Sequence, residues 1–214
     1  MDPALLVLAD GRFPAGGHAH SAGVEAAVVV GDVVDDATLA RYLHARLATT
    51  GVTDAAFAAA AAAGVDPAEL DRELTARVLS PRLREVGVRM GRQLLRAGRR
   101  VWPDQRLDGL DGCQQPIVLG TLVAVAGGGP HDAAVITMHH LAAAVTSAGV
   151  RLLGLDPIAV AAVQAAATPL VAELVAPATT WATTPPADLP ALGGALTDIL
   201  GEDHGHWTAR LFVA

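Results

Sequence analysis

The spacing of apolar residues along this chain is that of α-helices, and it recurs in segment after segment. Leu83, Val86, Met90 and Leu94 follow one another at steps of three or four, which places them on one face of a helix. Residues 130–148 repeat this spacing, and no stretch sustains the strict alternation that is typical of a β-strand. Glycine, proline and aspartate separate the segments. The sequence therefore predicts an all-α fold.

The same periodicity predicts a single-domain helical bundle of about ten helices over residues 1–214. Ser80 and Pro81 form a good N-cap and first-turn pair, whereas Thr168 and Pro169 predict either a kink or a new helix capped by Thr168. Residues 99–115 and 177–190 are rich in turn formers, so we expect loops there and interpret the second as a mobile arm. The expected helices cover residues 20–30, 36–49, 53–63, 66–78, 81–98, 116–126, 130–148, 155–167, 169–176 and 188–200.

Composition limits the kind of core and the kind of partner. The chain is 52% hydrophobic but only 3% aromatic, so its core must be built from small side chains on closely packed helices. The formal charge of -7 argues against a nucleic-acid surface, which relies on clustered positive charge. Cys113 is the lone cysteine and cannot form an internal disulfide, which favours a reducing compartment, the cytoplasm.

Two apolar stretches raise the question of a membrane. Residues 117–129 and 141–150 are bounded by proline, histidine or arginine, and we expect both to be too short to span a bilayer, which takes roughly 20 apolar residues. Asp2 stands where a signal peptide needs positive charge, so no export signal is visible.

The segment LLVLADGRFPAGGHAHSAGVEAA, residues 5–27, is the densest local signal. Its glycines permit backbone angles closed to other residues, Ser21 is a plausible N-cap, and the charge of Glu25 suits the first turn of a helix. His18 and His20 invite a metal interpretation, although no nearby cysteine, aspartate or further histidine completes a ligand set. The alternative is histidine bonded to the loop backbone.

Other chemistry finds little support in the sequence. The glycine-rich loop matches neither a phosphate-binding loop nor a dinucleotide fingerprint, and no serine lies in a nucleophile elbow, so we expect no catalytic residue. His139 and His140 are adjacent and would point about 100° apart on a helix, which favours a core edge or an interface over one shared metal ion. Two alternatives stay open: a helical metal-dependent hydrolase that uses these histidines, and a regulator that binds a small apolar ligand between helices.

Two further segments are candidates for partner binding. Residues 77–100 contain eight arginines opposed only by Glu85, which indicates either a solvated helix face or a docking surface for an acidic partner. The C-terminal segment DILGEDHGHWTARLFVA carries Leu211 and Phe212, and such an apolar tail either packs back on the core or inserts into a partner.

Five blocks of the sequence together resemble the urease accessory protein F family. They are LLxLADxRFPxGGxAHSxGxE at residues 5–25, SPRLREVGVRMGRQLLR at 80–96, QPIVLG at 115–120, TSAGVRLLGL at 146–155 and HGHWTARLF at 204–212. The resemblance implies an all-helical, non-catalytic homodimer that bridges accessory protein D or H and the nickel-carrying GTPase G. It also implies that this complex docks on apo-urease and passes nickel to it, with no tightly bound cofactor and nickel only in transit.

The resemblance assigns structural or partner-facing roles to particular positions. The chain departs from the family pattern at Gly205, Gln115, Asp156 and Pro157, which argues against direct metal contacts at the tail or near residue 115. The signature residues carried over from the family, together with the apolar pair of the tail, are Arg12, Pro14, Gly16, Gly17, His20, Ser21, Gly23, Glu25, Arg151, His204, Arg210, Leu211 and Phe212.

Overall fold

The computed structural model describes residues 2–207 and 211–212, and for His18 the backbone alone. Within these residues the chain forms twelve α-helices and no β-strand, so the predicted all-α single domain is confirmed. The helices are α1 Pro3–Ala9, α2 Val24–Val29, α3 Asp36–Arg46, α4 Val52–Ala62, α5 Pro67–Arg77, α6 Pro81–Val101, α7 Gln115–Val125, α8 Pro130–Leu153, α9 Pro157–Ala166, α10 Thr168–Leu174, α11 Ala178–Trp181 and α12 Ala195–Gly205. Short 3-10 turns cover Gly17–Ala19, Gln105–Leu107 and Pro186–Asp188, and a π-helical turn covers Leu47–Gly51.

Side-chain caps explain where many of these helices begin. The predicted cap at Ser80 is confirmed, because its hydroxyl accepts a hydrogen bond from the amide of Leu83 at 3.0 Å. Asp35 and Thr38 form a reciprocal capping box at the start of α3. Aspartates 2, 66 and 156 cap α1, α5 and α9, and the side chain of each accepts a hydrogen bond from a backbone amide of the first turn. Local sequence therefore determines these starts.

Several predicted boundaries are wrong. The first expected helix is shortened to α2 because Gly23 takes a left-handed φ of 83°, which helical residues do not adopt. α8 does not end before Gly149 but continues to Leu153. The glycine serves packing instead: a side chain at Gly149 would meet Leu39, so its absence lets α3 and α8 approach closely. The last expected helix, 188–200, is displaced: the chain is irregular before α12 begins at Ala195.

Two connections also differ from expectation. A new helix does begin at Thr168, but its hydroxyl donates to the Ala165 carbonyl and does not cap α10, whose N-cap is Ala167. α3, the π-helical turn and α4 follow one another without a break, so residues 36–62 form one helical run where two helices were expected.

The interpretation of residues 177–190 as a mobile arm is wrong. Trp181 is buried, and the guanidinium of Arg77 donates hydrogen bonds to four backbone carbonyls of this region. The accepting carbonyls belong to Pro186, Ala187, Leu189 and Pro190, at 2.8–3.2 Å. Residues 99–115 are a loop as expected, apart from the last turn of α6 and the 3-10 turn at Gln105–Leu107.

The core is centred on α4, which packs against α7 and α8. Alanines 55, 56, 58, 59 and 60 are fully buried, and Phe57 is the largest wholly buried side chain. A Cβ atom at Gly120 would overlap the carbonyl oxygen of Ala58, so the backbones of α4 and α7 are nearly in contact. The predicted close packing of helices through small residues is confirmed.

Two helical stretches are long and apolar enough to cross a membrane on length and composition alone. One is α8, in which 56% of the most apolar window is buried inside the fold, as in a core helix. The other is α9 with α10, Pro157–Leu174, in which only 11% of the window is buried. The expectation that residues 141–150 are too short to span a bilayer is therefore wrong on length, because they belong to α8, which has 24 residues. Residues 117–129 fall in and after the shorter helix α7, as expected, and no expectation about a membrane was stated for residues 157–174.

Candidate functional site

The loop that joins α1 to α2 is held to the body of the protein by specific contacts. Phe13 is buried and stacks on Trp102, with ring centroids 5.8 Å apart. Gly16 has a φ of 79°, and a Cβ atom there would overlap the side chain of Gln93 in α6. The glycine thus permits both the left-handed backbone and the close approach of the loop to α6.

The end of this loop, at the start of α2, is equally constrained. Ala22 has a positive φ of 52°, and its carbonyl accepts a hydrogen bond from the Tyr42 hydroxyl at 2.9 Å. A side chain at Gly23 would meet the same hydroxyl. Ser21 is fully buried, and its Oγ accepts a long hydrogen bond of 3.4 Å from the amide of Glu25. The predicted N-cap at Ser21 is nevertheless wrong, because the N-cap of α2 is Gly23 and no side chain caps this helix.

Glu25 is the centre of the best-connected polar cluster in this region. Its buried carboxylate accepts hydrogen bonds from His204 Nε2 at 2.7 Å, from the Leu211 amide at 2.6 Å and from the Phe212 amide at 3.1 Å. Burial acts to raise the pKa of Glu25, but these hydrogen bonds together outweigh burial and leave the pKa lowered. A carboxylate from the N-terminal block therefore holds the C-terminal block in place.

The C-terminal segment packs back on the core, one of the two outcomes expected for it. Phe212 is only 3% exposed, and the guanidinium of Arg151 lies 4.3 Å from the centre of its ring. Leu211 points outward and is 55% exposed. Arg210, a predicted signature residue, lies outside the described residues.

Other signature residues do not join this cluster. Arg12 is paired with Asp10 at 2.6 Å, and its side chain is 90% exposed. The hydrogen bonds from Arg12 lower the pKa of Asp10 to about 2. Pro14 and Gly17 are also exposed. The structure therefore brings Glu25, His204, Arg151 and Phe212 together and leaves Arg12, Pro14 and Gly17 on the surface.

A partly open cavity of about 400 Å³ lies between α4, α8, α12 and the loop of residues 10–23 that joins α1 to α2, which we call the signature loop. Its lining includes Arg46, Thr50 and Asp54, together with Asp198 of α12. Two guanidinium nitrogens of Arg46 and the hydroxyl of Thr50 are buried without a hydrogen-bond partner in the described part of the chain. Burial raises the pKa of Asp54 to about 6, although the positive charge of Arg46 opposes this shift.

Sequence reasoning missed these cavity residues, although a signal was present. Arg46, Thr50 and Asp54 recur at steps of four along a helical run that becomes almost wholly apolar towards residue 62. Residues spaced in this way lie on one face of a helix. Polar residues on one face of a core helix indicate a polar cavity, and this pattern could have found the site.

The candidate metal histidines are placed in different surroundings. His20 lines the cavity and its Nδ1 atom is buried without a partner among the described residues, so the expected bond to the loop backbone is not seen at that atom. Burial, with the charge of Arg89 as a second cause, lowers the pKa of His20 to about 4. His140 lies 3.1 Å from the Leu8 carbonyl through Nε2, and burial likewise lowers its pKa to about 4. His139 is exposed instead.

No metal cage is formed by the part of the chain that the structure describes. The rings of His139 and His140 are 6.2 Å apart and tilted by 50°, in agreement with their expected divergence. The side chain of His18 lies outside the described part of the structure. Among the described side chains, no three histidine, cysteine, aspartate or glutamate residues lie close enough together to hold an ion. Cys113 is buried, and burial raises the pKa of its thiol to about 11.

The fold and the site define an all-helical protein in which an N-terminal loop and a C-terminal segment meet beside a partly open cavity. Residues 33–168 match the family model described as UreF. A protein named urease accessory protein UreF from Mycolicibacterium vanbaalenii is 41% identical over 98% of this chain and 97% of its own length. Proteins of the same name from Mycobacterium sp. (strain JLS) and Mycobacterium tuberculosis are 39% and 36% identical over the same shares. The chain belongs to the UreF family.

Proposed function

We propose that this chain is a non-catalytic urease maturation protein that bridges accessory protein D or H and the GTPase G, and so assists GTP-dependent nickel insertion into apo-urease. The observation that carries the proposal is the contact between Glu25 and His204, which are 179 residues apart in the chain. This contact joins the two blocks that resemble the family at opposite ends of the fold. It builds one surface from both, as a bridging protein requires.

Exposed residues of these two blocks supply the proposed contacts with partners. Arg12 is exposed and pairs with Asp10, and Leu211 is exposed beside the buried Phe212. Exposed arginine and apolar side chains are typical constituents of a protein interface. The family resemblance assigns the partners themselves.

Nickel is proposed as cargo in transit, with no resident cofactor. The cavity presents imidazole and carboxylate groups from His20, His140, Asp54 and Asp198, spread over its walls. Dispersed nitrogen and oxygen ligands bind a divalent ion weakly, whereas a compact cage would retain it. We therefore expect no tight stoichiometric nickel binding by the isolated chain, and equilibrium dialysis that finds such binding would contradict this part of the proposal.

The proposed homodimer has a suitable surface on α9 and α10. No residue from 157 to 172 is charged, and Ile158 is 79% exposed. An uncharged apolar face is self-complementary, as a two-fold interface must be. Light scattering of Ala162→Glu should show monomer where the unaltered chain is a dimer. Ala76→Glu, at an exposed alanine of α5, is the control and should leave the dimer intact.

The bridging role is tested by reconstitution from purified parts. The chain, accessory protein D or H and the GTPase are mixed and analysed by size-exclusion chromatography with light scattering. Arg12→Ala, or deletion of residues 204–214, should weaken the complex. Arg106→Ala is a matched control, because Arg106 also pairs with an aspartate two residues earlier, at 2.8 Å. Absence of a complex with the unaltered chain would exclude the bridge.

One alternative retains a specific observation in its favour, namely the regulator that binds a small ligand. The cavity of about 400 Å³ is large enough for a small molecule. Native mass spectrometry of the freshly purified chain would detect a retained ligand.

The cytoplasm is the proposed compartment, because buried Cys113 has no second cysteine with which to form a disulfide within the chain.

A further inference from the structure

The exposed face of α6 carries a row of arginines, which we call the arginine stripe: Arg89, Arg92, Arg96 and Arg100. Steps of three, four and four residues keep them on one side of the helix. Arg96 and Arg100 lie within the last two turns of α6, and all four arginines are exposed. Buried Gly91, Leu94, Leu95 and Gly98 lie on the other side, against the core.

The stripe is distinguished by four neighbouring arginines that form no ion pair within the described chain. The protein has 22 acidic residues and 15 basic ones. Arginines 12, 77, 82, 99 and 106 each pair with a carboxylate within 4 Å. None of the four stripe residues has such a pair in residues 2–207 and 211–212. Glu85, four residues before Arg89, pairs with Arg82 at 3.4 Å, and Asp111, which also interacts with the charge of Arg92, pairs with Arg99 at 2.8 Å. A surplus of acids elsewhere thus leaves a concentrated positive surface here.

The stripe also borders the signature loop. The charge of Arg89 helps to lower the pKa of His20, so these two residues are near one another. Gln93, on the same exposed side of α6, lies against Gly16. The positive surface is therefore continuous with the loop that the family resemblance singles out.

We propose that an acidic face of a helix in a partner protein binds to the arginine stripe. This inference rests on the proposed bridging function and specifies the charge of the partner surface at one contact. Arg89 and Arg100 are 11 residues apart, a span of about 16 Å along α6. Carboxylates on successive turns of a partner helix would match this length. Guanidinium groups bind carboxylates through paired hydrogen bonds, and arginine is enriched at interfaces for that reason.

A protein is favoured over a nucleic acid as the occupant. The whole chain carries a formal charge of -7, which would repel a polyanion that extends beyond the stripe. An acidic protein face about as long as the stripe would be attracted by its arginines and would not extend over the negatively charged remainder of the surface.

The first test uses the full chain and defined probes. A helical peptide of about 20 residues with glutamates on one face is compared with its glutamine version and with a single-stranded DNA of similar charge. The double variant Arg96→Glu/Arg100→Glu is compared with Arg41→Glu/Arg72→Glu, which makes the same charge change at exposed helical arginines without an ion pair. Circular dichroism confirms that both variants fold.

We expect the glutamate peptide to bind about 10-fold more tightly than its glutamine version, and the stripe variant alone to lose that preference. Equal loss in both variants would overturn the inference, because binding would then reflect net charge. Tighter binding of the DNA than of the peptide would overturn it in favour of a nucleic acid.

The second test separates this inference from the bridging function. Association rates with accessory protein D or H and with the GTPase are measured at low salt for the unaltered chain and both variants. A slowing of about 10-fold for the stripe variant alone supports docking at the stripe. Equal association rates for the stripe and control variants would overturn docking at the arginine stripe but leave the proposed bridging function intact. If the unaltered chain binds neither partner, the bridging function is excluded, and the peptide experiment alone then tests whether the stripe binds an acidic helix.

Discussion

Glu25 in α2 accepts a hydrogen bond of 2.7 Å from the Nε2 atom of His204 in α12, and both side chains are buried. The same carboxylate accepts the amides of Leu211 and Phe212. A buried carboxylate is costly unless its oxygens are satisfied, so these donors and Glu25 depend on one another. The N-terminal block and the C-terminal segment therefore form one structural unit.

Replacement of Glu25 should release the C-terminal segment. In Glu25→Gln the negative charge is lost, and an amide NH2 faces donors where a carboxylate oxygen accepted them. We expect the free energy of unfolding in urea to fall by about 3 kcal/mol. Hydrogen exchange at the amides of Leu211 and Phe212 should accelerate. Glu173→Gln, at an exposed position, should change neither quantity, and unchanged protection of both amides in Glu25→Gln would contradict the assigned role.

Asp54 should make stability depend on pH. Its pKa is raised from 3.8 to about 6 in the folded state, so the folded chain binds a proton more readily than the unfolded one. This contribution to stability is complete below about pH 4 and is lost as the pH rises through about 6. Asp54→Asn removes the penalty, and we expect it to raise the free energy of unfolding by roughly 2 kcal/mol at about pH 8 but not at about pH 4.

The control for Asp54→Asn is Asp36→Asn, at an exposed position of α3. Denaturant unfolding of both variants across this pH range is the measurement. A stability gain for Asp54→Asn that is the same at both ends of the range would show that ionisation of Asp54 is not its cause.

Gly16→Ala should destabilise the signature loop for two separable reasons. A left-handed φ costs a non-glycine residue about 1 kcal/mol, and the new Cβ also overlaps Gln93. The double variant Gly16→Ala/Gln93→Ala should recover the steric part only. Gly11→Ala has open space around it and should be nearly neutral in thermal unfolding. Full recovery in the double variant would mean that the backbone angle costs nothing.

Arg77→Ala should free the segment around residues 186–190. The guanidinium holds four carbonyls, three of them in part-buried hydrogen bonds, and also lies 5.2 Å from the ring centre of Phe57. Its removal therefore leaves part-buried acceptors without donors. We expect a loss of about 3 kcal/mol in unfolding free energy and faster proteolytic cleavage within this segment. Arg72→Ala, at an exposed site of the same helix, should be cleaved like the unaltered chain. Equal cleavage of the two variants would argue against this anchoring role.

The helices were largely predictable because the information for them is local. Periodicity predicted α3, α5 and α6 closely, and Ser80 marked the start of α6 through its own hydrogen bond. Residues 177–190 were misjudged because the side chain that orders them, Arg77, is more than 100 residues away in the chain. Turn-forming composition does not reveal a partner at that distance.

The candidate site divides in the same way. Gly16, Gly23 and Glu25 were recognisable as a specified loop, because glycine and capping residues carry local meaning. The cavity around Asp54 was missed. Its polar lining residues come from segments that are distant in the sequence, and only the folded chain brings them to one cavity.

The sequence by itself determined that the chain is helical, that its core uses small side chains and that a particular loop is conformationally specified. These properties follow from backbone preferences and from the period of apolar residues, which act over a few residues. Only the tertiary structure decided that Glu25 meets His204, that Arg77 anchors a distant segment and that no residue of the arginine stripe has a carboxylate within 4 Å in the described chain. Such relationships depend on which helix faces become adjacent, and packing of the whole core determines that.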